Sequence, residues 1–503
     1  MTVGPLVNTI AQLSLFNSAA ASSLGGSALV GSDYKALVCV FLRGGCDTNN
    51  VLIPRGNNPQ AEAYAAERGV VGIPNGVANS NYNPEGSDET IPLTPQSGSN
   101  SDQFGLHPSL SNLADIFNDG DAAFVSNVGT LAEPTSVNTY GTSSLPRQLF
   151  SHSDQQTQWM SSIADQSYTS GWGARVADLY HDTWNEFSQT SMLITAAGIN
   201  QLMNGGNYPQ YTVSSSGAIS LTGFGTQYGL ALDETGGYRA NDSGARLQAL
   251  EQIMQYSHAH VLEDGYREVL QSARANEAVI GQAIRAQEQI FGNERGVRDF
   301  DAIFNEFQAN SGIGEELKVI AKLIAGRQLI GNNRQIFFVD MSGFDTHVGI
   351  NNSLPDLLLD VDRAIGAFNE SMKVLATVDD TFEYDKVTTF QASDFNRTWT
   401  PNGTDPGTAG TDHAWGSHAF VMGGAVSGGK IYGTFPNLGV GTQDDVPSGS
   451  RGRWIPTTSV DEYVARLAAW FGIPPNSAEM ATILPNLYRF NSPFTNSSKI
   501  QFI

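Results

Sequence analysis

Six short apolar runs, each bounded by turn-forming residues, constrain this chain more than any other feature. They are ALVCVFL (36–42), AAFVSNV (122–128), SMLITAA (191–197), QIFFVDM (335–341), KVTTFQA (386–392) and HAFVMGG (418–424). Runs of this length and composition read as buried parallel strands. Helical patterns lie between them. HPSLSNLADIFNDGD places Pro108 near a helix start, with Leu110, Leu113, Ile116 and Phe117 on one face. GWGARVADLYHD and LPDLLLDVDRAIGAFNESMKVLA carry the same 3–4 spacing. SVDEYVARLAAWFG has Ser459 as N-cap and Glu462 three residues on, the pattern of a capping box. Strand–helix alternation of this kind predicts an α/β fold built on a doubly wound, mostly parallel sheet.

Two segments break the rhythm. Residues 55–105, rich in Asn, Pro, Gly and Ser, read as a surface loop insertion, and residues 244–330 as a helical insertion beside the sheet. The expected organisation is an N-terminal extension (1–33) and a single α/β domain (34–503). LVNTIAQLSLFNSAAASSLGG near the start reads equally as the end of an export signal and as a surface helix docked on the domain.

The net charge of −23 repels a phosphate backbone, so nucleic acid is not an expected partner. The same acidity suits a chain that gathers divalent cations. Cys39 and Cys46 lie along one run, roughly 20 Å apart at ~3.3 Å per residue, which predicts two free thiols. No window has the ~18 continuous apolar residues of a membrane helix.

Ligands of open α/β sheets bind beyond the carboxyl ends of the strands. The first run ends in RGGCDTNN, with Asp47 after the sharp-turning pair Gly44–Gly45. QIFFVDM leads to Asp345 and His347, and KVTTFQA to Asp394 and Arg397. GTDHAWGSH, before the last run, holds Asp412, His413 and His418. Carboxylates and imidazoles collected from separate segments are what a divalent metal needs. RQLFSHSDQQTQWMSS adds Arg147, Ser151, His152, Ser153 and Asp154 at an expected helix start, where a hydroxyl beside a metal would serve as a nucleophile. Arg43 and Arg397 flank two acidic positions; they balance charge or hold a phosphate or sulfate group. The chain has no G-x-S-x-G elbow, P-loop or H-E-x-x-H. FVMGGAVSGGKIYG reads as strand and turn, and His258 and His260 as surface residues.

In order, FLRGGCDTNN, LHPSL, SHSDQQ, GFDTH, SDFNRT, GTDHAWGS, GGAVSGGKIYG and a late WFG resemble an uncharacterised bacterial family often exported by the twin-arginine route. That family is similar to the alkaline phosphatase and sulfatase superfamily. The resemblance implies a three-layer α/β/α, alkaline-phosphatase-like fold and phosphate- or sulfate-ester hydrolysis at a metal site. By position, Asp47 resembles the first-strand metal ligand, Asp345 and His347 the second aspartate and histidine, Asp394 the third aspartate, and His413 a later histidine. Two departures stand out. The usual Asp-x-x-x-His is Asp-x-His here, and the usual Asp-His pair is Asp394–Phe395, one ligand short.

The expected function is a secreted metal-dependent hydrolase of phosphate or sulfate esters. Its substrate would be an anionic small-molecule or polysaccharide ester, its location periplasmic, cell-surface or extracellular, and its cofactor Zn, Mn, Ca or Mg. Ser151, His152 and Ser153 are the catalytic candidates, Arg43 and Arg397 the substrate-binding ones. The alternative is a non-catalytic descendant, an extracellular binding or assembly protein, with self-assembly or a protein partner in place of chemistry.

Overall fold

A computed structural model describes residues 33–503, apart from 80–82, 95–102, 187, 189, 216, 219–223, 225–227, 234–236, 254–275, 278, 286–289, 292–296 and 448–450. The N-terminal segment read as export signal or docked helix, and His258 and His260, lie outside the described residues. A ten-stranded sheet forms the centre. Its strands are β1 (Lys35–Leu42), β5 (Ala122–Gly129), β6 (Leu193–Thr195), β7 (Tyr211–Ser214), β8 (Gly217–Ala218), β9 (Arg334–Met341), β10 (Val387–Ser393), β11 (Ser417–Met422), β12 (Ile431–Gly433) and β13 (Thr458–Ser459). The order is β12-β5-β11-β10-β1-β9-β6-β7-β8, with β13 paired to β5.

β1 lies parallel to both β9 and β10, so the turn after it is central at the carboxyl edge. Its residues are apolar on both faces because both faces are covered. Ala36, Val38, Val40 and Leu42 enter one core with the helices Ser111–Asn118, Phe300–Glu306, Gly312–Ala325 and Ile350–Val378. Leu37, Cys39 and Phe41 enter the other, with Trp159 and Met160 of the helix His152–Ser161 and the helices Trp172–Trp184, Val460–Phe471 and Ala478–Ile483. The result is an α/β fold with helices on both faces of the sheet. Ser459 caps Val460–Phe471 in a complete capping box with Glu462. Cys39 and Cys46 are free and buried. Among the described residues no helix is long and apolar enough to cross a membrane.

Three expectations need correction. HAFVMGG is not a parallel strand: β11 runs antiparallel to β10 and β5. The connection 394–416 stays at the carboxyl edge and re-enters the sheet from there, which an antiparallel neighbour allows without a crossover. SMLITAA forms strand only over Leu193–Thr195. The segment 55–105 is not mere surface loop. It carries the helix Pro59–Glu67, capped by Asn58, and a small sheet of β2 (Leu52–Pro54), β3 (Ile91–Pro92) and β4 (Phe104–Leu106) in the order β2-β4-β3. Strands of two and three residues are too short to show a period. The segment 244–330 is helical over much of what is described, and its helices Phe300–Glu306 and Gly312–Ala325 pack beside the sheet in the first core.

Candidate metal centre

The Gly44–Gly45 turn explains where β1 stops. Both glycines have positive φ, 111° and 77°. A Cβ on Gly44 would strike the backbone at Asp345, and one on Gly45 would stand 2.5 Å from the Phe395 ring. The turn therefore admits two neighbouring strand ends to close approach. Gly44 N–H points at Asp394, donating to its Oδ2 at 3.2 Å.

Four side chains meet over this turn. The Oδ1 atom of Asp345 lies 3.4 Å from Nε2 of His152, 3.2 Å from Nε2 of His347 and 3.5 Å from Nε2 of His413. The Nε2 atoms of His347 and His413 are 2.9 Å apart. His152, Asp345 and His413 offer ligand atoms that all lie within 4.8 Å of one another. They come from a helix start, the loop after β9 and the loop before β11. β11 delivers His413 to this edge because it runs backwards.

Each imidazole is held by its other nitrogen. His152 Nδ1 donates to Asp394 Oδ2 at 2.7 Å, His347 Nδ1 to Asp412 Oδ1 at 3.0 Å, and His413 Nδ1 to the carbonyl of Phe150 at 2.8 Å. A carbonyl can only accept, so His413 carries its proton on Nδ1, and the neutral ring aims a bare Nε2 lone pair into the cluster. Phe150 adopts a left-handed backbone, φ 73°, which turns that carbonyl to its task. The Phe395 ring packs beneath His152 and His413, 4.6 and 4.7 Å from their centres.

The outer contacts continue inward. Asp394 is fully buried and also accepts from Gln156 Nε2 at 2.9 Å; Gln156 in turn accepts from Arg43 Nη1 at 2.9 Å. Asp412 accepts from Asn402 at 3.2 Å and is paired with Arg451. Burial would raise the Asp345 carboxyl, but the hydrogen bond and charge of Arg397, with His347 and His152, hold it below the usual carboxylate range. Burial likewise opposes, and Asn402, His347 and Arg451 outweigh it to lower, the Asp412 pKa. Burial lowers the pKa of His413, aided by its charged neighbours and opposed by the Phe150 hydrogen bond, so the ring is neutral near pH 7.

These residues fit a metal ion. Ligands about 2.05 Å from a tetrahedral metal are separated by about 3.3 Å, close to the spacings above. His152 Nε2 is buried and has no hydrogen-bond partner, so its lone pair is committed to nothing else. Two facing imidazole Nε2 atoms at 2.9 Å need a proton or a cation between them. Imidazoles with a carboxylate or carbonyl behind them are the usual construction of a metal ligand. His347 and Asp345 remain 41% and 50% exposed, so the cluster is open on one side.

The other expected residues are placed differently. Asp47 is fully buried and does not meet the histidines; its Oδ2 pairs with Arg68 at 2.8 Å and accepts from Thr411 at 3.2 Å. Asp394 stands behind His152 rather than beside it. Ser151 Oγ donates to Asp154 at 2.6 Å and lies 3.3 Å from Ser153 Oγ; among the described residues no hydrogen bond links either hydroxyl to the cluster. Arg397 is wholly buried, bonded to Asp345 and to the carbonyls of Gly44, Gly45, Phe344 and Thr411. Arg43 is paired with Asp340. His418 is a core residue, stacked on Phe435 and depressed to about 3 by burial. Arg147 bonds Ser167 at 2.7 Å. Arg68 and the Phe150 carbonyl had no sequence signal: one follows a short helix in a non-periodic stretch, and the other is backbone.

The family model described as protein of unknown function (DUF1501) matches residues 34–448. The chain belongs to DUF1501. No curated protein matches it. The DUF1501 span includes all four residues of the cluster and the groups behind them, from Gly44 to His413. Arg451 and Arg453 follow it.

Proposed function

We propose that this chain is a metal-dependent hydrolase of phosphate or sulfate esters with one metal centre, on an alkaline-phosphatase-like fold exported from the cytoplasm. The observation that carries the reading is the set of three Nδ1-held imidazoles whose Nε2 atoms surround Asp345 Oδ1. His152, Asp345 and His413 would hold the ion, with His347 beside them. Two imidazole donors beside a carboxylate favour Zn or Mn over Ca or Mg. A divalent ion there would acidify water and polarise the ester. Phe395 packs where the resembled superfamily has a further histidine, which favours one ion over two. Asp394, Asp412 and the Phe150 carbonyl fix the ring orientations. Since Ser151 and Ser153 bond Asp154, water rather than serine is the attacking group in this reading.

The binding-protein alternative keeps one supporting observation. Asp47, a ligand by position in the resembled superfamily, is neutralised by Arg68. One experiment separates the two: elemental analysis of purified protein, followed by melting with and without EDTA. A hydrolase centre gives about one equivalent of divalent metal and a melting temperature lowered by chelation, because an ion bound to the native state stabilises it. Absence of stoichiometric metal, with melting indifferent to EDTA, refutes the centre. Turnover of chromogenic phosphate and sulfate esters by the loaded protein then tests the reaction.

A further inference from the structure

We infer that Arg453 grips the substrate's oxyanion group at this centre, an inference that rests on the hydrolase reading above. Arg43, Arg68, Arg397 and Arg451, the other arginines built into or behind the site, each have a carboxylate partner: Asp340, Asp47, Asp345 and Asp412. Arg453 has none among the described residues. Its Nε donates to the His413 carbonyl at 2.8 Å, and its backbone N–H to Asp445 at 2.8 Å. Its guanidinium carbon lies 4.8 Å from the centre of the Phe150 ring, the residue whose carbonyl holds His413.

Backbone and Nε are thus fixed, the guanidinium plane rests on an aromatic face, and no described protein group accepts from Nη1 or Nη2. Among the arginines at this site, Arg453 is the one with both terminal nitrogens free of described protein acceptors and no acid partner. A half-buried guanidinium edge with two parallel N–H groups matches two oxygens of a tetrahedral oxyanion. The ligand class is therefore a sulfate or phosphate group, free or in an ester, bound by Arg453 next to His413.

The test is arginine modification by phenylglyoxal in the full chain, mapped by peptide mass, with chelator present and with inorganic phosphate or sulfate added separately. Labelling of Arg453 should slow several-fold with one or both anions, and the anion that protects identifies the group. Arg55, paired with Asp88 elsewhere, should be unaffected. By calorimetry, Arg453→Gln should weaken binding of the protecting anion roughly tenfold, while Arg55→Gln leaves it unchanged. Unslowed labelling of Arg453 with both anions, or an Arg453→Gln variant that binds as tightly as wild type, overturns the inference. Should the variant not fold, labelling of the wild type decides. Metal content reports separately: protection without metal upholds Arg453 and removes the hydrolase reading, and metal without protection does the reverse.

Discussion

Asp394 and His152 are joined by a 2.7 Å hydrogen bond across 242 residues of sequence. The bond fixes the imidazole tautomer and aims Nε2 at Asp345. Asp394→Asn keeps the volume and an acceptor oxygen but loses the charge behind the ring. Metal affinity should fall about 10–100-fold, the usual effect of removing such support. Competition against a chromophoric chelator measures it, and an unchanged dissociation constant would show that His152 is not a ligand.

Arg68→Met should be among the costliest single changes. It strands the Asp47 carboxylate, fully buried, with Thr411 as its remaining partner, and breaking one half of such a pair costs about 3–5 kcal/mol. Adding Asp47→Asn should recover much of the loss. Urea titration of both variants checks this; a double variant no more stable than Arg68→Met contradicts a charge-pair explanation.

Gly45→Ala should destabilise by about 1–3 kcal/mol, because φ is 77° and the new methyl meets the Phe395 ring. If the ring is the obstacle, Phe395→Ala and Gly45→Ala should be non-additive, with a coupling of about 0.5 kcal/mol or more. Additive losses would leave backbone strain as the whole cause.

Asp461 is buried at the start of the helix Val460–Phe471, and burial pushes its carboxyl up to about 7. Its folded value therefore exceeds the unfolded one, near 3.9. Between these the native state holds the extra proton, so this residue's contribution to stability falls as pH rises from about 4 to about 7 and is level above. Asp461→Asn should gain on the wild type across that window. Melting curves at acidic, neutral and alkaline pH test it; a difference independent of pH refutes the assignment.

The strand cores and the metal candidates Asp345, His347 and His413 were legible because each follows or precedes an apolar run by a few residues. The direction of β11 was not: a short buried run is equally apolar read either way. His152 was legible as a site residue but not as a member of the His/Asp cluster. Ser151, His152 and Ser153 are neighbours at a helix start, their side chains fan out about 100° apart, and nothing local says which one faces the cluster. Asp47 was misplaced for a different reason. Its ion partner, Arg68, stands 21 residues on, after a helix of weak amphipathicity that composition made look like loop.

The reversal of β11 means that the chain between β10 and β11 never leaves the rim of the sheet. That one excursion supplies Asp394 and Phe395 from below, Arg397 from within, and Asp412 and His413 from above. Floor and roof of the site are thus carried by one continuous segment, anchored at both ends in the sheet. Lengthening its exposed part, around Thr404–Gly407, would reshape the rim beside the cluster while leaving both strand anchors untouched. A fold so wired can reshape the surroundings of the cluster by editing a single passage, without renegotiating its core.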